Sequence, residues 1–196
     1  MGAGPGQGGA GEKLKDSSLD HLLNPGQLSC AQGCLLGQLA GDALGSLVEF
    51  RRPEDIRREY PSGVRELADG GTWNTIAGQP TDDSEMALAL ARMLAEKGRY
   101  DAEEARKAYV SWLESGPFDC GATVSSGLRG TPNQESQANG ALMRISPLGI
   151  FGANYDLEQV AEWARLDAAL THLHPGSKLA PSQQVRWSVA SGSRRS

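Results

Sequence analysis

The sequence predicts an all-α fold, a compact helical bundle, on three observations. Met86, Leu90, Met93 and Leu94 recur at three- and four-residue spacing with Ala87 and Ala91 beside them, so residues 81–97 bury one helical face. Gly33, Gly37, Gly41 and Gly45 fall every four residues in an apolar run, which puts them on one ridge of another helix. Asp101 with Glu104 opens a helix whose Ala105, Tyr109, Trp112 and Leu113 share a face, and the run Tyr155-Asp156-Leu157-Glu158 opens a further one.

The totals fit one soluble domain with a real core: 196 residues, 39% of them hydrophobic, and a net charge of −5. The acidic balance lacks the electrostatic footprint of a nucleic-acid or anionic-membrane binder, so an anionic substrate has to be met by local donors. Cys30, Cys34 and Cys120 form no paired framework, which fits a reducing cytoplasm. Cys30 and Cys34 share a helix face and read as small core residues.

In chain order, residues 1–26 read as a disordered, glycine-rich tail. It has neither the apolar centre of a signal peptide nor the Ser or Thr at position 6 of a myristoylation pattern. A helical turn over 16–23 would end at Asn24-Pro25-Gly26. Residues 27–50 read as the central helix. Each glycine inside it costs about 1 kcal/mol relative to alanine, so the ridge calls for a second helix pressed closely against it. Gln32, Gln38, Asp42 and Glu49 argue against a membrane span. Asp42 and Glu49, seven apart, point into one interior space, or Asp42 bonds a neighbouring backbone.

Residues 51–60 form a short polar helix with Pro53 near its start, and 62–80 form an ordered loop that delivers Thr81. Trp73 in that loop is an anchor or a stacking platform. Thr81, Asp82 and Asp83 open the helix that Gly98 ends. They read in two ways: as caps, with Asp82 and Glu85 in a capping box, or as a hydroxyl and two carboxylates diverging to hold a hard cation.

Gly116-Pro117 stops the helix opened by Asp101, and Asp119 then either caps the next helix or lines a pocket. Residues 125–138 read as loop, with Gly127, Gly130, Pro132 and Asn133 as breakers. From Ser136 the chain turns from small and polar to apolar across Asn139-Gly140, either an ordinary turn or a loop whose free amides suit phosphate oxygens. A helix through Leu170 runs into His172 and His174, read as a helix-end cap and a substrate contact, or as two metal ligands. Residues 176–196 read as a low-complexity basic tail or linker.

The runs GCLLGQLAGDALGSLVEF, GQPTDDSEMALALARML, SQANGALMRISPLGI and ARLDAALTHLHP resemble, in order and spacing, the ADP-ribosylglycohydrolase family over residues 27–175. The resemblance implies an all-α fold around two Mg²⁺ ions. On it, Thr81, Asp82 and Asp83 match the first metal motif, and Glu49 matches the acidic residue near the metals, cast as the catalytic group. Ser136, Gln137, Asn139 and Gly140 match the segment against the diphosphate, His172 matches a residue bordering the ADP-ribose pocket, and Asp119 joins them as a substrate-binding residue. The implied reaction is hydrolysis of the bond linking ADP-ribose to a protein side chain or a small acceptor in the cytoplasm.

The family pattern continues to a second motif of Asp-x-Asp-Thr type, and here Asp167 is the last acidic residue. The expectation is therefore a C-terminally incomplete domain with weak activity, and exposed apolar surface that invites self-association. An inactive ADP-ribose-binding pseudoenzyme and a plain helical interaction domain are the alternatives.

Overall fold

Residues 25–177 and 180–183 are described by a computed structural model. Its elements run α1 (Pro25–Gly45), α2 (Pro53–Glu59), α3 (Asp82–Lys97), α4 (Ala102–Glu114), α5 (Ala122–Leu128), α6 (Ser146–Phe151) and α7 (Leu157–Ala169). A 3₁₀ turn over Gly152–Asn154 joins α6 to α7. Among the described residues there is no strand, only an isolated bridge between Gly70 and Thr75. Nor is any helix there long and apolar enough to cross a membrane.

The centre is α3. Its Met86, Leu90, Met93 and Leu94 are buried as their spacing predicts, and Gly98 ends it in the left-handed conformation at φ 63°. Against it lie α4, with Ala105 and Tyr109, and α6, with Ile145 and Leu148 around its start, while α7 brings Val160 and Ala164 into the same core by packing on α4 and α6. Asp101 caps α4 by accepting from the amides of Glu103 and Glu104, and Asp156 caps α7 in the same way. The Glu104 side chain turns away from that cap to pair with Lys97 and Lys107, so the expected capping box is a single cap.

Several expectations fail for identifiable reasons. Pro25, read as part of a breaker, lies in the first turn of α1, where its missing N–H costs nothing. The helix ends at Gly45, and 46–50 are turns, so Glu49 is not on a helical face. Gly33, Gly37, Gly41 and Gly45 meet nothing within 4 Å of an added Cβ, so the closely pressed second helix is absent among the described residues. Leu28, Leu36, Cys30 and Cys34 are exposed on the same helix, so the cysteines are not core residues there.

The stretch 125–138 is not all loop, because α5 runs through Gly127 to Leu128. Gly127 is there for close packing: a Cβ on it would lie 2.6 Å from Thr171 Cα. Residues 175–177 and 180–183 are helical where a linker was expected. The expectations for 1–24 and 184–196 fall outside the described residues.

Candidate active site

The site gathers at the N-terminus of α3, where three separate segments bring carboxylates to one place. Asp82 and Asp83 come from the first turn of α3, Asp42 from the end of α1, and Glu49 from the turn that follows α1. Asp119 comes from the loop before α5. After burial, the charges of Asp42 and Glu49 push the carboxyls of Asp82, Asp83 and Asp119 up from the usual range.

Their roles differ by what they accept. Asp42 takes the Thr81 hydroxyl at 2.7 Å and the backbone amides of Thr81 and Ser84 at 3.1 and 3.0 Å. It is therefore the cap of α3, supplied from another helix, while Thr81 makes no capping bond of its own. The capping box expected of Asp82 and Glu85 is absent: Glu85 accepts the Trp112 indole N–H, and Asp82 accepts the Gly121 amide at 3.2 Å. Glu49 accepts the Trp73 indole N–H at 2.8 Å.

Asp83 and Asp119 meet no hydrogen-bond donor on their carboxylates among the described residues. Burial, then the charges of Asp42, Asp82 and Glu49, push Asp83 up to about 6. Burial, then Asp82, Glu49, Asp83 and Asp42, push Asp119 up to about 7. Asp119 does not cap α5, whose N-cap is Gly121. Among the described residues no three His, Cys, Asp or Glu side chains form a ready-made metal cage.

The predicted diphosphate segment meets α5 at Thr123. Ser136 exchanges a hydroxyl bond with Thr123 at 2.6 Å and accepts the Ala138 amide at 3.3 Å, which folds the loop back on itself. Gln137 and Asn139 are exposed at its surface. The amides of Leu142 and Met143 are taken by the Asn139 carbonyl, so these two are not free for an anion. Gly140 is buried, and a Cβ on it would lie 2.6 Å from Val124 Cγ2 and 3.0 Å from His172 Cε1.

His172 is completely buried against Gly140, and its Nε2 meets no hydrogen-bond partner among the described residues. Its Nδ1 shares a hydrogen with the Thr171 hydroxyl at 2.8 Å, and burial, then Arg144, pushes its pKa down to about 4. His174 accepts the Gly176 amide and joins no metal set.

The residues that hold the loop were missed in the sequence. Arg144 is fully buried, donating from Nε to Asp167 Oδ1, from Nη2 to the Asp167 carbonyl, and from Nη1 to Thr171 Oγ1 and the Gly140 carbonyl at 2.9 Å. Tyr109 donates its hydroxyl to Asp167 Oδ2, and its ring lies 4.5 Å under the guanidinium carbon. The signal was an arginine inside the apolar run ALMRISPLGI, and an acid on the buried α7 face of Val160, Ala164 and Ala168. Gln38 was also overlooked. Its Nε2 donates to the carbonyls of Asp83 and Met143 and its Oε1 accepts from Ser146, tying α1 to both halves of the site.

Comparison with known proteins places the chain in a family. The model of the ADP-ribosylglycohydrolase family matches residues 24–181, six positions beyond the C-terminal limit read from the motifs. The chain is 41% identical over 171 residues to the ADP-ribosyl-[dinitrogen reductase] glycohydrolase of Rhodospirillum rubrum, covering 81% of this chain and 56% of that protein. It is 33% identical over 147 residues to an ADP-ribosylarginine hydrolase of Pseudomonas putida (strain GB-1), covering 66% of this chain and 38% of the relative. A solved structure described as an ADP-ribosylglycohydrolase-related protein complex superposes with a TM-score of 0.68 at 26% identity, over 84% of this chain and 57% of that one. The chain thus spans about half the length of the relatives it matches. With the family model covering most of its length, the chain belongs to the ADP-ribosylglycohydrolase family.

Proposed function

We propose that this chain hydrolyses the glycosidic bond between ADP-ribose and an acceptor side chain, using Mg²⁺ held at the start of α3. The observation that carries the proposal is the crowding of like charge there. Asp83 near 6 and Asp119 near 7 are carboxylates that burial and mutual repulsion keep partly protonated, and a cation relieves both penalties. The donor set suits a hard ion, with one hydroxyl and several carboxylates. Mg²⁺ keeps most of its water and needs only one or two carboxylates, so dispersed acids fit it better than a tight cage would.

Thr81, Asp82 and Asp83 are the residues that would hold the metal. When bound, it supplies Lewis acidity toward the ribose hydroxyls and an acidified water. Glu49, held by Trp73, orients that water or the leaving group as charge develops on the sugar. The 136–140 loop, anchored by Arg144, receives the diphosphate. The relatives that act on ADP-ribosylated dinitrogen reductase and ADP-ribosylarginine favour a protein arginine as the acceptor. The three free cysteines suit the cytoplasm.

The test is release of ADP-ribose from an ADP-ribosylarginine protein by the purified chain with Mg²⁺. Turnover that chelation stops and Glu49→Gln sharply lowers without abolishing supports the proposal, and Mg²⁺-independent turnover contradicts it. The lack of a three-carboxylate cage among the described residues favours, as a second reading, ADP-ribose binding without turnover. Calorimetry separates the two, since affinity for ADP-ribose with no product supports the second.

A further inference from the structure

The Glu49 carboxylate sits on a turn, so no regular backbone hydrogen bonding fixes its direction. A six-residue segment, 70–75, performs that task. It closes on itself through Gly70 and Thr75, whose amides each donate to the other's carbonyl at 2.7 and 3.0 Å. It grips the 46–50 turn at successive positions. Gly71, at φ 71°, packs so tightly that a Cβ would lie 2.7 Å from Leu47 Cα. Thr72 donates its amide to the Ser46 carbonyl and its hydroxyl to the Glu49 carbonyl at 2.5 Å. Trp73 then donates its indole N–H to Glu49 Oε2, which leaves Oε1 without a partner among the described residues.

The indole is itself held from two sides. Its ring meets Phe50 edge-on at 6.3 Å and Phe118 at 6.0 Å, the neighbours in sequence of Glu49 and Asp119. Phe50 is 81% exposed and takes φ 59°, a conformation that a bulky residue adopts only under constraint. A tryptophan serving only to anchor a loop would bury its ring and leave its N–H to any acceptor. This one spends its single donor on the carboxylate assigned above to the reaction.

We propose that the 70–75 segment is a clamp that sets the Glu49 carboxylate, and that Trp73 is a positioning residue acting through Glu49. The inference rests on the hydrolase reading, in which Glu49 faces the reacting water. With one oxygen tied to the indole, the rotation of the carboxylate is fixed and the free oxygen is presented to the sugar, which is orientation supplied before the substrate arrives.

The test is a cycle of wild type, Trp73→Phe, Glu49→Gln and the double variant. Phe keeps an aromatic ring between Phe50 and Phe118, smaller than the indole, and removes the donor. The hydrolysis kcat of Trp73→Phe should fall on the order of 100-fold with KM within about twofold, the scale of a misplaced group. On the Glu49→Gln background the same change should do nothing further. A Trp73→Phe variant within about twofold of wild type, or losses that add in the double variant, would overturn the proposal.

A second measurement needs no turnover. In ¹⁵N-labelled full chain, Glu49→Gln should shift the Trp73 indole N–H resonance and speed its exchange, while the Trp112 indole, bonded to Glu85, stays put. An unmoved Trp73 signal overturns the clamp. Absence of turnover in every form would sink the hydrolase reading alone, and the indole signal would then decide this one.

Discussion

Asp42 caps a helix it does not belong to: its carboxylate accepts the Thr81 hydroxyl at 2.7 Å and the Thr81 amide at 3.1 Å. This link fixes where the first turn of α3 begins, and so where Asp82 and Asp83 stand. Asp42→Ala removes the acceptor and strands the amides of Thr81 and Ser84. The expected cost is about 1–3 kcal/mol of unfolding free energy by urea titration, from a lost cap plus partly buried donors. A loss below about 0.5 kcal/mol, the range of an ordinary surface change, would mean that α3 is capped by other means.

Arg144 and Asp167 form an ion pair with both side chains fully buried. Breaking it with Arg144→Met leaves the Asp167 carboxylate without its cation and frees the Gly140 carbonyl. About 3–5 kcal/mol of stability should be lost. Affinity for ADP-ribose should fall with it in whatever fraction remains folded, since the 136–140 loop loses its anchor.

Gly140 admits no side chain without displacement of Val124 and the His172 ring. Gly140→Ala should cost about 1–3 kcal/mol in thermal or urea unfolding, as overpacking does. The same change at Gly33, whose Cβ would meet nothing, should instead stabilise α1 by about 0.5–1 kcal/mol. Equal effects at the two sites would contradict the packing described.

The carboxylates make stability depend on pH. Asp83 and Asp119 have folded pKa values of about 6 and 7, raised from 3.8, so the folded state binds protons more tightly than the unfolded one. The stabilisation is full below 3.8 and is lost as pH rises through those folded values. His172, lowered from 6.5 to about 4, works the opposite way and removes stability as pH falls below 6.5. With metal chelated, the melting temperature should therefore rise between pH 8 and pH 7, above the unfolded histidine's 6.5, by about a few degrees. Asp83→Asn with Asp119→Asn should flatten that slope.

Leu28, Leu36 and the four glycines of α1 are exposed among the described residues. Sedimentation of the 196-residue chain should show concentration-dependent association, and Leu36→Glu should reduce it. A monomer at every concentration would remove self-association from the account.

What the sequence made legible was local. The burial stripe and left-handed end of α3 and the helix starts at Asp101 and Asp156 are short-range patterns, and the structure reproduces them. What it hid was contact across the chain. Asp42 lies 39 residues from Thr81 and Arg144 lies 23 from Asp167, so no spacing rule pairs them. Gly127 looked like a breaker because its function, close approach to Thr171, exists only in three dimensions. His172 was visible as a histidine, yet nothing in the sequence told its buried support of Gly140 from an open contact.

The central claim is that acids from three segments meet at the head of α3 to seat divalent ions. Titration calorimetry of Mg²⁺ into the chain, beside Asp82→Asn/Asp83→Asn, tests it without substrate. The account predicts saturable binding by the wild type that the double variant loses while its fold is retained. Binding of equal strength in both, or no binding by the wild type, would contradict it.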